Sequence, residues 1–421
     1  MDPVAAQINL DRMERRLDEL WEIGQTSRGG VTRLAYTEEE SEAIEYVVDE
    51  AGSDYAVETD SIGNVFLTRE PDAPRTVFVG SHLDTVFNAG RLDGTLGVVA
   101  ALEAVDAVYA AGEPACPPTI VICRGEESSR FGQHTIGSRG MLGMLKVEDF
   151  AATDQNKIPL WQAIQESGFY PENLTEPTVD VERIGGFLET HIEQGRVLEE
   201  DGLDVGIVTG IRAPVRYRFT VQGEDDHSGA TPMDRRRDAL TAAAEMITTV
   251  EELASDAAQQ DDVVATVGDI TAVEGAINKI CGEVSFPLDL RSNDREYRDA
   301  VEDRLLGEFE AIADRRDVSL TREDLDRSEP VDLDSSVNET LTAAAERTGV
   351  SYRHLPSGGG HDAMNFQLSG IPTGMVFVPS VDGISHNPQE ATYPDSIEAA
   401  AKVLSRALCE MEADTERQDD C

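Results

Sequence analysis

Five separated segments of the chain contain histidine and carboxylate side chains of the kinds that bind divalent metal ions. The candidate ligands in these segments are His82, Asp93, Glu127, His191 and His386. The chain has only seven histidines, and three of them fall in these segments. Two cations that share a water molecule need roughly five nitrogen and oxygen ligands, one of them a bridging carboxylate. The sequence therefore predicts a hydrolytic centre with two metal ions.

Each of these signals also has an ordinary explanation. Asp84 lies two residues after His82, on the same face of an extended segment, so it could hold the second ring nitrogen of a metal-binding histidine. A buried hydrogen-bonded pair explains it equally well. Asp93 could bridge two cations or simply cap a helix. The neighbouring Glu126 and Glu127 repel each other unless a cation or a proton intervenes. We interpret them as a base and a ligand, but a solvated acidic turn is common in so acidic a chain.

Other polar residues could contact a substrate. His227 follows a predicted strand and could reach over the site, although a lone histidine is more often a core or surface residue. Arg291 could bind a carboxylate through two hydrogen bonds, although an arginine at a strand end more often forms a salt bridge. The glycine run 358–360 could be a hinge or a close-approach loop, or an ordinary turn.

Alternating strands and helices would bring the ligands together. The pattern predicts a buried strand over Thr76 to Gly80, a helix over Thr95 to Ala111 and a second buried strand over Thr119 to Cys123. This is a crossover unit with parallel strands. His82 follows the first strand and the Glu126–Glu127 pair follows the second. Since parallel strands end at one edge of a sheet, the sequence predicts an α/β fold with a mostly parallel mixed sheet, flanked by helices, and a site at that edge.

A different pattern occupies residues 213–329. Apolar and polar side chains alternate from Val215 to Val221, and the remaining elements follow in the order β-α-β-β-α-β, as in ferredoxin-like α+β units. The two helices are predicted at roughly Arg236 to Ala254 and Asp294 to Arg315, and Pro287 indicates an edge strand or a bulge. We therefore expect this segment to be a second domain inserted into a catalytic domain made of residues 1–212 and 330–421.

The charge of the chain restricts its partners and its environment. Net charge is -47, from 82 acidic and 35 basic residues, and only four of the basic residues are lysine. Dispersed acids with so little lysine predict a halophilic protein, because concentrated salt screens the self-repulsion. Few cations are available to neutralise phosphates, so we expect no nucleic-acid partner.

The location of the protein is also an expectation from composition. The first residues show no basic start followed by an apolar stretch, so we expect no signal peptide. No apolar run approaches the length of a membrane span, so we expect no membrane partner. The cysteines are few, odd in number and unpatterned, which is typical of reduced thiols in the cytoplasm.

Several sequence segments together resemble a known enzyme family. They are GSHLDTVFNAGRLDGTLGV, EESSRFG, THIEQGRVLE, HSGATPMDRRRDAL, LDLRS, SGGGHDAM and SHNPQE. The chain is similar, nearly end to end, to the M20-type binuclear amidohydrolases. The THIEQG and GATPMDRRRDAL strings favour the branch of N-carbamoyl-L-amino acid hydrolases, β-ureidopropionases and allantoate amidohydrolases.

The resemblance implies a role for each candidate residue. It implies a homodimer with a lid and dimerisation domain, a small ureido or amide substrate, and two divalent metal ions per subunit (zinc, or manganese, cobalt or nickel). The implied roles are metal binding for His82, His191, Glu127, His386 and the bridging Asp93, general base for Glu126, contact with the substrate carbonyl for His227 of the partner subunit, and substrate binding for Asn278, Arg291, Gln194 and Gly360.

The resemblance leaves two alternatives open. Ser128, Ser228, Cys281 and Gly359 depart from residues common in the family, which leaves the substrate open but removes no ligand. An aminoacylase or peptidase of the same superfamily would cleave N-acyl amino acids or dipeptides and release no ammonia. A catalytically silent, dimeric binding protein would have lost a ligand or Glu126, and this chain retains all of them.

Overall fold

The computed structural model describes residues 2–112, 114, 116–170 and 176–411. Cys116, Cys123, Cys281 and Cys409 form no disulfide in this part of the chain, and Cys421 lies outside it. Among the described residues, no helix combines the length and the apolar character needed to cross a bilayer.

The helices and strands are numbered along the chain. The α-helices are α1 (Leu10–Glu22), α2 (Glu38–Ala51), α3 (Thr95–Ala111), α4 (Ile136–Met141), α5 (Leu160–Glu166), α6 (Val197–Asp201), α7 (Ala239–Ala257), α8 (Arg295–Arg316), α9 (Ser335–Thr348), α10 (Asp362–Leu368) and α11 (Pro394–Glu410). The strands are β1 (Ala56–Thr59), β2 (Val65–Thr68), β3 (Thr76–His82), β4 (Pro118–Cys123), β5 (Ile184–Ile192), β6 (Val205–Ile211), β7 (Ala213–Gln222), β8 (Asp226–His227), β9 (Val264–Thr266), β10 (Thr271–Ala272), β11 (Lys279–Ile280), β12 (Glu283–Ser292), β13 (Ser319–Arg327), β14 (Val331–Asp332), β15 (Tyr352–Ser357) and β16 (Thr373–Val378). Short 3-10 turns lie at Ala5–Gln7, Gly52–Asp54, Asp149–Ala151, Val181–Arg183, Met233–Arg235 and Val381–Gly383.

The chain forms two compact units. The first contains residues 1–209, 333–357 and 361–421, and the second contains residues 210–332 and 358–360. The glycine run 358–360 therefore belongs to the second unit, whereas the sequence-derived boundaries place it in the catalytic domain. A hydrogen bond explains this position, because the backbone oxygen of Gly358 accepts from Nη1 of Arg291 at 2.7 Å.

The first unit is built on a mixed sheet with the order β1-β2-β4-β3-β5-β16-β6, and β15 also pairs with β6. The four central strands β4, β3, β5 and β16 run parallel. The outer pairs, β1 with β2, β2 with β4 and β16 with β6, are antiparallel. The predicted α/β fold with a mostly parallel central sheet is confirmed.

Helix α3 occupies the predicted residues. Its alanines and valines are buried almost throughout, as a helix that packs on a sheet and beneath other helices requires. Helices α1, α9 and α11 contact the same apolar cluster. Alternate strand residues point to the other face of the sheet, where the rings of Phe187 and Phe366 stack with centroids 3.9 Å apart.

The second unit contains an antiparallel sheet in which β12 lies between β7 and the short strands β9 and β10, and β7 also pairs with β13. Helices α7 and α8 pack on one face of it, against alternate apolar residues of β7 and β12. Both helices begin after an aspartate that caps them, Asp238 and Asp294. The predicted start of α7 at Arg236 was three residues early, because the capping carboxylate fixes the first turn.

Pro287 does not lie in an edge strand or a bulge as predicted. Strand β12 pairs continuously with β7, and Pro287 lies opposite Arg218. On the other side of β12, the pairing with β10 ends at Ser285 and the pairing with β9 resumes at Asp289. Proline is tolerated in this inner strand because its missing N–H falls in the gap between two short partners.

We predict that Gly97→Ala destabilises the first unit, because α3 crosses the sheet very closely at this residue. A Cβ atom on Gly97 would lie 2.2 Å from the backbone oxygen of Thr190 and 2.6 Å from Cβ of Ser81. Such overpacking reduces the free energy of unfolding by about 1–3 kcal/mol. Chemical unfolding monitored by circular dichroism would measure the change.

Gly307→Ala in α8 is the matched control. A Cβ atom there meets no atom within 4 Å, so the alanine should stabilise the helix by up to about 1 kcal/mol. Equal effects of the two substitutions would contradict the close contact of α3 with the sheet.

Candidate metal centre

The predicted ligands lie where neighbouring parallel strands end. His82 is the last residue of β3, and His191 is the penultimate residue of β5. Glu126 and Glu127 follow β4, and His386 follows β16 after a loop. The order of these strands in the sheet is β4-β3-β5-β16, so the four carboxyl ends are adjacent.

A first group contains His82, Asp93 and His191. Nε2 of His191 lies 3.1 Å from Oδ1 of Asp93, and Nε2 of His82 lies 3.6 Å from the same oxygen. Nδ1 of His82 lies 3.1 Å from the backbone oxygen of Asp84, and Nδ1 of His191 lies 3.0 Å from the backbone oxygen of Ile192. Since a carbonyl oxygen only accepts, each Nδ1 carries a proton, and each Nε2 of a neutral ring has its lone pair free for a metal ion.

A second group contains Asp93, Glu127 and His386. Nε2 of His386 lies 3.3 Å from Oδ2 of Asp93 and 3.2 Å from Oε1 of Glu127. These two carboxylates raise the pKa of His386 to about 10 through their hydrogen bonds. His386 has a φ of 54°, a left-handed backbone that is uncommon for a residue other than glycine.

The residues of the two groups fit divalent cations. Each oxygen of Asp93 faces a different group, as a bridging carboxylate requires. Within the described part of the chain, the buried Nε2 of His82 finds no hydrogen-bond partner, and a buried polar atom in that condition needs an ion or a water molecule to satisfy it. Burial opposes ionisation of Asp93, but His191, His386 and His82 hold its pKa well below the usual value. The site therefore keeps a charged carboxylate at its centre.

Glu126 lies beside the first group without belonging to either. One of its carboxylate oxygens, Oε2, is 3.8 Å from Nε2 of His82. Burial raises the pKa of Glu126 well above the usual value, and the neighbouring Glu127 adds to this, whereas the positive charge of a protonated His82 would oppose it. A buried carboxyl group that favours its proton can accept one near neutral pH, as a general base must.

Asp84 links these elements. Its carboxylate oxygens each accept one backbone N–H at 3.0 Å, from Glu126 and Glu127, and Oδ1 lies 3.4 Å from Nδ1 of His82. Asp84 is fully buried. The sequence predicts its contact with the histidine, but it does not reveal that the same carboxylate fixes the loop of the two glutamates.

Gln194 lies two residues after the end of β5 and contacts the carboxylate of Asp93. Its Nε2 donates to Oδ2 of Asp93 at 2.8 Å and to Oγ of Ser385 at 3.2 Å. The sequence-based interpretation places Gln194 at the substrate pocket, and the structure shows in addition that it holds Asp93. With a φ of 58°, Gln194 is a second residue with a left-handed backbone at this edge of the sheet. Backbone strain of this kind clusters at functional sites.

Two supporting residues escape the sequence analysis. The buried Glu390 accepts the backbone N–H groups of Leu92 and Asp93 at 2.7 Å and 3.1 Å, and Ser385 donates to Oδ2 of Asp93 at 3.0 Å. Both fix the loop that carries Asp93. The string SHNPQE contains both residues, but nothing in their spacing indicates a contact with a residue almost 300 positions earlier.

Gly94 also belongs to the centre. It has a φ of +63°, and a Cβ atom on it would lie 2.4 Å from Nδ1 of the His82 ring. Only glycine satisfies both conditions without strain. The ring of His82 therefore packs directly on the backbone at the start of α3.

The second unit contains the other predicted site residues. His227 in β8 pairs with Lys279 in β11, and Ser228 donates its N–H to the backbone oxygen of Asn278 at 3.0 Å. The structure thus brings His227 and Asn278 together. Nδ1 of the exposed His227 accepts the N–H groups of Gly229 and Ala230, each at 3.1 Å. The neutral ring therefore has its proton on Nε2, where it can be donated.

Arg291 and Gly360 are also in this unit. The guanidinium of Arg291 donates from Nε and Nη2 to the carboxylate of Asp289 at 2.7 Å and 3.0 Å. Gly360 has no heavy atom within 4 Å of a Cβ position, so the space beside it is open.

Comparisons with known proteins identify the family. Residues 78–410 match the model of peptidase family M20/M25/M40. An N-carbamoyl-L-amino acid amidohydrolase from Geobacillus stearothermophilus is 40% identical over 409 residues, which are 95% of this chain and 98% of that protein. An allantoate amidohydrolase from Escherichia coli is 33% identical over 95% of this chain and 97% of its own length.

Solved structures agree with these relatives. An amidase of the hydantoinase/carbamoylase family from Burkholderia multivorans superimposes with a TM-score of 0.89 at 33% identity, covering 97% of this chain and 98% of that one. The resemblance stated from the sequence motifs is confirmed. The chain belongs to peptidase family M20/M25/M40, and its relatives include carbamoylases and allantoate amidohydrolases.

Proposed function

We propose that this chain hydrolyses the ureido C–N bond of an N-carbamoyl-L-amino acid or a related ureido acid such as allantoate or β-ureidopropionate. For a carbamoyl amino acid, the products are the amino acid, ammonia and carbon dioxide. The observation that carries this proposal is the position of the Asp93 carboxylate. It belongs to both groups of potential metal ligands, and Glu126 lies beside them as a carboxylate that is in neither group. Relatives of this chain that bear the names of amidohydrolases support the ureido bond as the target.

The residues would divide the chemistry among them. One divalent cation would be held by His82, Asp93 and His191, and the other by Asp93, Glu127 and His386. The two cations would together act as Lewis acids towards a water molecule and the substrate carbonyl. Glu126 takes a proton from the attacking water on its carboxylate and delivers it to the leaving nitrogen. Nitrogen and oxygen ligands without cysteine suit zinc, manganese, cobalt or nickel.

The second unit would supply substrate contacts. His227 donates from Nε2 to the oxygen on which negative charge develops, together with Asn278. Arg291 binds the carboxylate of the substrate. We propose that the enzyme is a homodimer in which the partner subunit's second unit closes as a lid over the substrate.

The proposal predicts ammonia release that depends on metal. Protein loaded with zinc, manganese, cobalt or nickel in concentrated salt should release ammonia and free amino acid in equal amounts from N-carbamoyl-L-amino acids, or ammonia from allantoate. Dialysis against a chelator should abolish the reaction, and the metal should restore it. Hydrolysis of N-acyl amino acids or dipeptides with no ureido substrate accepted would refute the proposal in favour of an aminoacylase or peptidase.

Glu126→Gln should lower turnover by about 10²–10⁴-fold, because the amide cannot accept the proton of the attacking water. The metal content, measured by elemental analysis, should be unchanged. Glu127→Gln is the control, since it replaces a ligand and should lower the metal content itself. Full turnover in Glu126→Gln, or loss of metal from it, would show that the roles of the two glutamates are wrongly assigned.

Gly94→Ala should weaken metal binding, because the methyl group would displace the ring of His82. Gly132→Ala is a matched control: its φ of +68° imposes a similar backbone strain, but no heavy atom lies within 4 Å of its Cβ position. Metal retained after dialysis against a weak chelator would be compared for both variants. Equal retention would contradict the role of Gly94 in seating the histidine.

A further inference from the structure

A row of charged side chains crosses the helix-free face of the sheet in the second unit. On β7, Arg216 pairs in register with Asp289 of β12 on one side and Asp326 of β13 on the other. Nε of Arg216 donates to Oδ2 of Asp289 at 2.8 Å, and Nη1 donates to Oδ2 of Asp326 at 3.3 Å. Arg291 is two residues after Asp289 in the same strand, so it points to the same face.

This face forms a cleft. Its volume is about 540 Å³, within the range of about 300–1,000 Å³ that is usual for small-ligand sites. The lining includes Arg216, Pro287, Asp289, Arg291, Leu325 and Gly358. Apolar surface from the proline and leucine lies beside a few fixed charged groups, an arrangement that suits a small ligand with one anionic end.

The hydrogen bonds of Arg291 leave a defined part of its guanidinium for such a ligand. An arginine has five N–H donors. Asp289 uses the one on Nε and one on Nη2, and the backbone oxygen of Gly358 uses one on Nη1 at 2.7 Å. Among the residues that the structure describes, these bonds leave one N–H on each of the two terminal nitrogens. Two N–H groups on separate nitrogens of one guanidinium are what bidentate binding of a carboxylate needs.

We propose that Asp289 is a positioning residue that fixes the orientation of Arg291, so that the substrate carboxylate binds end-on to Nη1 and Nη2. The inference rests on the proposed function, which assigns the substrate carboxylate to Arg291. Without Asp289, the long side chain of Arg291 would exchange among its rotamers. The substrate carboxylate would then bind a mobile guanidinium instead of one held in a fixed orientation. The Asp289 carboxylate does not touch the substrate and takes no part in the bond cleavage.

The role of Asp289 is tested by binding and by kinetics. In a metal-loaded Glu126→Gln background, calorimetric titration with N-carbamoyl-L-alanine and with its carboxamide separates carboxylate binding from turnover. Asp289→Asn should weaken binding of the carboxylate by about tenfold or more, as expected when a charge-assisted contact is lost, and should leave the carboxamide unaffected. In the active background, the same substitution should raise KM and change kcat by less than about threefold.

Two further variants serve as controls. Asp326→Asn removes a carboxylate from the same face that contacts Arg216 but forms no hydrogen bond with Arg291, and it should keep the wild-type affinity. Asp289→Glu retains the charge and should recover most of the preference for the carboxylate. It also keeps the test decisive if the asparagine variant folds poorly.

The outcomes distinguish this inference from the proposed function. Equal affinities of Asp289→Asn and Asp326→Asn for the carboxylate would overturn the inference, even in an enzyme that hydrolyses ureido acids. If no ureido acid is hydrolysed but carboxylate binding still depends on Asp289, the proposed function fails and the positioning role stands. Equal losses of affinity for the carboxylate and the carboxamide in Asp289→Asn would overturn the inference, because they would show that Asp289 has only a structural role.

Discussion

The shared carboxylate of Asp93 is the constraint on which the rest of the candidate centre depends. Its two oxygens face two different sets of imidazole and carboxylate groups, so its position must be accurate with respect to both. The fold fixes it by two backbone N–H bonds to Glu390 and by donors from Gln194 and Ser385. A carboxylate surrounded in this way loses little freedom when it binds cations, which favours binding.

The architecture of the first unit explains why distant residues meet at this point. Parallel strands place all of their carboxyl ends at one edge, and the neighbouring order β4-β3-β5-β16 puts four successive contributions side by side. The close approach of α3 to the sheet at Gly97 brings the helix start, and therefore Asp93, towards the strand ends. Packing in the core and geometry at the site are thus parts of the same arrangement.

Sequence patterns reveal this edge because they depend on local periodicity and on the types of residue that bind metals. Helix α3 and the ends of β3 and β4 follow from apolar runs, and the ligands follow from the histidines beyond them. Contacts between remote segments are not readable in this way. The hydrogen bonds that Glu390 accepts from the Asp93 loop and the one that Arg291 donates to Gly358 join residues far apart in the sequence, and no local pattern pairs them. Pro287 was misread because the gap between β9 and β10 is a property of three strands together.

Asp84 accepts two backbone N–H groups, and this has a consequence for how mutations at the site combine. One carboxylate orients a candidate ligand of one group and holds the backbone of both Glu126 and Glu127. A substitution at Asp84 would therefore perturb ion affinity and proton transfer at the same time, and its effects would not add to those of substitutions at either glutamate. Natural variation at these three positions should be strongly epistatic, so that a change at one is tolerated only in combination with changes at the others.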